Sequence, residues 1–176
     1  MGKTQKSSNK NSPRISRLGI GPFFAGISIC YYLATMAATT YLVPQWRINM
    51  PSPASRYILA AILILPGLSL YGLGVKNMLS AYKNDKLCTT GAFGICRHPI
   101  YSAWIFFLVP GLSLWVNSPL SFTTPPIMYI LFKVLIKKED RYLEERFAAE
   151  YLHYRKTTPE ILPVGWFTKT AKKARS

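Results

Sequence analysis

The sequence predicts an all-α, multi-pass transmembrane protein of about four spans, with a C-terminal helical hairpin and an amphipathic cytosolic helix. Three observations carry that reading. Leu18 to Trp46, Tyr57 to Val75 and Pro99 to Phe132 contain no Asp, Glu, Lys or Arg, and apolar runs of about 18 or more residues are the mark of a bilayer span. The 22 Lys and Arg, against 7 Asp and Glu for a net charge of +15, lie in blocks between those runs. Leu143, Phe147, Tyr151 and Tyr154 then recur along one face of a helix, as expected where a helix lies on another surface. A soluble globule and a disordered chain are excluded by this patterning. Three cysteines with no CxxC or Cys/His quartet exclude a disulfide scaffold and give no reason to expect a metal site.

Taken in order, residues 1–17 are polar and basic without apolar period and read as a disordered cytoplasmic tail. The domain itself is expected over 18–163, with a basic C-terminal tail at 164–176. Span one, Ile20–Val43, is far longer than a signal-peptide core and is expected to remain as an anchor. Span two, Tyr57–Leu79, carries Pro66, which removes one backbone hydrogen bond and predicts a kink. The third run is too long for one span and barely enough for two, because a crossing of about 30 Å needs about 20 residues. Asn117-Ser118-Pro119 at its centre is a turn signal. The parse is a hairpin of Ile100–Val116 and Leu120–Ile136, with Lys133 snorkelling at its end. An amphipathic helix follows over Lys137–Tyr154 and ends before Pro159.

Basic residues orient the spans. Lys3, Lys6, Lys10, Arg14 and Arg17 precede span one, and only Arg47 and Arg56 separate spans one and two. Lys76, Lys83, Lys86 and Arg97 separate spans two and three, and a further basic set follows span four. Both termini and the 76–98 loop are therefore expected in the cytoplasm. The split of the basic residues between two ends favours membrane lipids over nucleic acid as their partner.

Chemistry concentrates in one loop, Gly91-Ala92-Phe93-Gly94-Ile95-Cys96-Arg97-His98-Pro99-Ile100-Tyr101. Pro99 suits the first position of a helix, with His98 as its cap, so a helix N-terminus and a guanidinium meet at the cytosolic boundary and favour an anion. Tyr101 follows one turn after Arg97. Glu139 and Asp140 stand at the cytoplasmic end of span four, the hairpin partner of span three. The expected constellation is an Arg97–Glu139 pair enclosing one niche.

Gly91-x-Phe93-x-x-x-Arg97-His98-Pro99-x-Tyr101 resembles the G-x-Y-x-x-x-R-H-P-x-Y signature of the isoprenylcysteine carboxyl methyltransferase and phospholipid methyltransferase family. The segment from Glu139 to Tyr154 resembles that family's E-E-x-x-L-x-x-x-F-G-x-x-Y-x-x-Y, with Pro159 and Pro163 following. The resemblance covers about Leu87–Pro163, and the first two spans have no part in it. It implies S-adenosylmethionine as cofactor, with Leu87, Gly91, His98, Tyr101, Asp140, Tyr151 and Tyr154 around it and Arg97 and Glu139 nearest the transferred methyl. The acceptor it implies is a lipophilic small molecule or lipidated substrate, carrying either a carboxylate or an amine. Departures are Phe93 for tyrosine, Ala103 and Ala148 for glycine, Asp140 for the second glutamate, and Glu160 where many relatives carry arginine. Two other readings stand beside it. One is an NADPH-dependent membrane sterol or lipid reductase, which would need more spans and a phosphate-pairing basic cluster. The other is a small non-catalytic membrane protein, which leaves Arg97 and Glu139 without a purpose.

Overall fold

A computed structural model describes residues 20–49, 51–84 and 86–162. The tails at 1–17 and 164–176 lie outside the described residues. Helices form every regular element among those described: α1 (Gly21–Tyr41), α2 (Pro53–Lys83), the single turn α3 (Ala92–Ile95), α4 (Pro99–Trp115) and α5 (Thr124–Thr157), with a 3₁₀ turn over Pro119–Thr123 before α5. The chain is thus the all-α multi-pass protein its sequence predicts. Three of its helices are long and apolar enough to cross a bilayer, and α4 is a shorter apolar helix.

Local chemistry sets the ends. The Ser52 hydroxyl accepts the Ser55 N–H at 3.2 Å and caps α2, with Pro53 at its first position where a missing N–H costs nothing. α2 then runs unbroken through Pro66. In α4 the chain widens into a π-turn over Trp104–Leu108, where Val109 N–H reaches back to Trp104 O. Pro110 follows, and its ring cannot share a turn with the carbonyl four residues earlier.

Packing places α4 between α2 and α5, with α1 on the other flank of α5. The α2–α4 contact depends on missing side chains. A Cβ on Gly111 would lie 2.6 Å from Ile64 Cγ1, and one on Gly67 would lie 2.7 Å from Phe107 Cβ. Such small-residue contacts replace the hydrophobic drive that lipid cannot supply. Phe24, Ile105, Val109, Met128, Phe132, Ile136 and Ile161 form the core.

The hairpin apex is polar, and α1 answers it. Thr39 and Ser118 hydroxyls meet at 2.8 Å, Thr35 and Ser121 at 3.2 Å, and Tyr31 and Thr123 at 3.0 Å. Asn117, with φ +56°, accepts the Ile48 N–H at 2.9 Å. A turn near hydrocarbon depth needs such partners. The expected fourth span and amphipathic helix are one continuous element, α5, interrupted only at Ala148, whose φ of +43° and ψ of −117° are not helical. An alanine held there is strained, because that region suits glycine.

Candidate active site

Every fourth residue of α5 from its start is buried: Thr124, Met128, Phe132, Ile136 and then Asp140. The apolar stripe that fills the core therefore ends in a carboxylate. Opposite it stands the extended segment Cys96–His98. Two backbone hydrogen bonds hold this segment against the return of the chain, Arg97 N–H to Pro159 O at 2.8 Å and His98 N–H to Glu160 O at 3.1 Å. Leu162 N–H adds a bond to Ser102 Oγ at 3.2 Å, and that hydroxyl donates to His98 O at 2.9 Å.

These constraints gather four elements on one cluster. Arg97, 8% exposed, directs Nη1 at Asp140 Oδ1 at 3.4 Å and at Oδ2 at 3.5 Å, and donates to the Tyr151 hydroxyl at 3.0 Å. The Tyr151 hydroxyl itself donates to Asp140 Oδ1. His98 Nε2 lies 3.6 Å from the same oxygen. Glu160 Oε1 lies 3.9 Å from Arg97 Nη2 and its other oxygen pairs with Lys133. Rings of Phe24, Tyr101, His98 and Phe132 stack edge-on or tilted below, at centroid separations of 5.0–5.4 Å for the pairs Phe24–Tyr101, Tyr101–Phe132 and His98–Phe132.

Burial alone would raise the Asp140 carboxyl, but the His98 imidazole and Tyr151 hydroxyl directed at it, with the Arg97 charge, hold it at about 2. For Glu139 burial prevails: its carboxyl is raised, against the nearby His98 and with Asp140 adding to the rise. Burial likewise raises Tyr151 and Tyr154. Two adjacent acids are thereby pushed apart, which is the pattern of differentiated roles.

Of the residues expected from sequence, the structure brings together Arg97, His98, Asp140 and Tyr151, with Tyr101 beside them. The pairing differs from the expected one. Arg97 engages Asp140, and Glu139 instead receives the Tyr101 hydroxyl at 3.5 Å. Consecutive helical residues point about 100° apart, so with Asp140 on the buried stripe Glu139 is turned aside. His98 holds the cap position of α4, but its side chain makes no cap bond and faces Asp140. Tyr151 and Tyr154 are 1% and 7% exposed and form a wall. The Tyr154 hydroxyl donates to Phe93 O at 2.7 Å.

Leu87 lies elsewhere, on an open cleft of about 690 Å³ between the end of α2, residues 86–90 and α5 at Phe147 and Glu150. Gly91 backs this cleft. Its φ is +62°, and a Cβ there would sit 2.0 Å from Asn77 Nδ2, which donates to Thr90 O at 3.3 Å. Glu150 on the cleft and Tyr151 in the cluster are neighbours in sequence, so the same turn of α5 borders both.

Glu160 enters the sequence reading as a departure from the family pattern that bears on acceptor charge, and Lys133 joins it at the cluster. Lys133 reads as a snorkelling end residue, and nothing in the sequence says that Pro159–Glu160 folds back on Arg97. Among the described residues no three His, Cys, Asp or Glu side chains are placed to hold a metal ion.

Comparison with known proteins bears on the whole arrangement. Residues 55–145 match the isoprenylcysteine carboxyl methyltransferase (ICMT) family. Protein-S-isoprenylcysteine O-methyltransferase B of Arabidopsis thaliana is 26% identical over 140 residues, 78% of this chain and 70% of its own length. The Mus musculus protein-S-isoprenylcysteine O-methyltransferase is 27% identical over 94 residues, 52% of this chain and 33% of its own length. The cobalt-zinc-cadmium resistance protein CzcN of Cupriavidus metallidurans is 29% identical over 86 residues, 48% of this chain and 39% of its own length. The chain thus spans most of the plant relative and a third of the mouse one. No solved structure matches it significantly.

Proposed function

Since the chain belongs to the isoprenylcysteine carboxyl methyltransferase family, we propose that it transfers a methyl group from S-adenosylmethionine to a lipophilic acceptor at the cytosolic face of a membrane. One observation carries the reading: the buried Arg97–Asp140–Tyr151 cluster stands at the start of α4 and the middle of α5, and the α5 turn that carries Tyr151 also lines an open cleft through Glu150. On this reading the lipid tail would approach from the bilayer and the water-soluble donor from the cleft.

The residues of the cleft fit such a donor. Asn77, Asn84, Thr89 and Thr90 offer hydrogen-bond partners to a nucleoside, Phe147 offers an aromatic surface, and Glu150 a carboxylate opposite in sign to a sulfonium. Its volume lies in the range of about 300–1,000 Å³ of small-molecule sites. Arg97 Nε is buried without a hydrogen-bond partner, which leaves polar capacity in the cluster for a bound molecule. The donor supplies an electrophilic methyl on a positively charged sulfur, so the protein needs no strong base for the transfer itself. Its task is alignment of nucleophile, methyl and sulfur in surroundings that exclude water. Arg97, immobilised through Asp140 and Tyr151, and Tyr101, set between Phe24 and Phe132, would hold the acceptor headgroup. Glu139 would take a proton where the acceptor carries one.

The distribution of Lys and Arg supports placing both termini on the cytosolic side. Calorimetry of the detergent-purified chain tests the donor. S-adenosylhomocysteine should bind and NADPH should not. NADPH binding without S-adenosylhomocysteine binding would replace this reading with the reductase.

A further inference from the structure

We propose that Glu160 is a resident competitor for the acceptor headgroup: its carboxylate guards the open edge of Arg97 in the free protein, and an acceptor carboxylate binds there by passing Glu160 over to Lys133. The inference deepens the methyltransferase reading above and rests on it.

A guanidinium presents two edges, and in Arg97 they differ. Nη1 is engaged by Asp140 and Tyr151. Nε is buried without a partner, and beside it Nη2 lies 3.9 Å from Glu160 Oε1, beyond hydrogen-bond reach but well within Coulombic reach. Nε and Nη2 together form the edge on which a carboxylate makes two parallel N–H···O bonds. That edge is shaped for an anion, and an anion of the chain itself stands at its outer half. The other Glu160 oxygen is held by Lys133, whose ammonium also lies 5.9 Å from the Tyr129 ring centroid. Glu160 is therefore shared between a buried cation and a half-exposed one at the mouth of the cluster.

Charge makes the sharing a competition. Arg97 and Lys133 are matched by Asp140 and Glu160, so a further carboxylate enters against Glu160 unless that side chain withdraws. The Glu160 carbonyl accepts the His98 N–H, and the Pro159 carbonyl accepts that of Arg97, so the main chain stays and only the side chain turns. Turned fully to Lys133, Glu160 keeps a partner, and the acceptor takes both Nε and Nη2. In the transfer a carboxylate oxygen forms the O–CH3 bond while the S–CH3 bond breaks with its electrons going to sulfur. The negative acceptor and the positive donor both become neutral, and no proton moves. The ester has lost the charge that displaced Glu160, so the Arg97–Glu160 contact re-forms and favours its release.

The test uses the full chain in detergent, with ionised palmitate as the charged probe and methyl palmitate, its neutral ester, as the baseline. Binding is read by calorimetry. Glu160→Gln should tighten palmitate by about tenfold and change methyl palmitate far less. Lys133→Gln, which removes the second partner and leaves Glu160 on Arg97, should weaken palmitate by about threefold. In the Glu160→Gln background the same Lys133 change should lose most of that effect, because no exchange is left for it to support. The proposal is overturned by palmitate affinity unchanged or weakened in Glu160→Gln, by equal shifts in palmitate and its ester, or by an undiminished Lys133→Gln effect in the double variant. The same exchange seen without S-adenosylhomocysteine binding would leave Glu160 its role and remove the methyltransferase reading instead.

Discussion

Asp140 is the residue on which the cluster turns. Its carboxyl is held at about 2 against an ordinary 3.8, so the stability it contributes is full above about pH 4 and is lost as pH falls through 2. Thermal unfolding in detergent should show a midpoint that declines between pH 4 and 2. Asp140→Asn should remove that limb and cost about 3 kcal/mol at neutral pH, because Arg97 is left buried without its acid. An acid limb unchanged in the variant would show that the Asp140 carboxyl is not its source. The same burial changes what an Arg97 substitution means: Arg97→Ala strands Asp140 and loosens the fold as well as the site. The choice between Glu139 and Asp140 was legible in part. The fourfold spacing Thr124–Met128–Phe132–Ile136 continues to Asp140, whereas Glu139 continues the Leu143–Phe147 spacing. Both are valid helix faces, and only the position of α4 decides which one is covered.

At the scale of elements, α1 has the polar seam Tyr31, Thr35, Thr39 at steps of four, visible in sequence as a face within an otherwise apolar run. What it faces was not visible. Its partners Ser118, Ser121 and Thr123 are about ninety residues away, and the turn they form needs hydroxyl partners because lipid supplies none. Thr39→Val should therefore cost about 1 kcal/mol, read as a lower unfolding midpoint at unchanged donor affinity. An unaltered midpoint would mean that water, not α1, serves the apex. The hairpin boundaries followed from Asn117-Ser118-Pro119, while the π-turn at Trp104–Leu108 and the break at Ala148 did not. The first follows from Pro110. At Ala148 the residue type with the strongest helix preference takes a backbone conformation that suits glycine.

For the molecule as a whole, charge and aromatic placement agree on two boundaries. Tyr57 and Trp115 rings meet at 5.1 Å, with the Arg56 guanidinium 5.0 Å from the Tyr57 ring centroid, an arrangement suited to a membrane interface. Arg97, Glu139, Asp140 and Lys133 gather away from that interface, at the start of α4 and the middle of α5. Reporters active only in the cytoplasm should function when fused to either terminus and fail in the 42–52 loop; the reverse pattern would invert the site and exclude a cytosolic donor. The all-helical multi-pass class, the turn of the hairpin and the loop that bears the chemistry were legible in sequence alone, because they depend on hydropathy, turn residues and charge, which are local quantities. Which acid meets Arg97, where α1 docks, and that Glu160 returns to the mouth were decided only by tertiary structure. Each is a contact between segments far apart in the chain, and no local pattern of residues encodes the geometry that joins them.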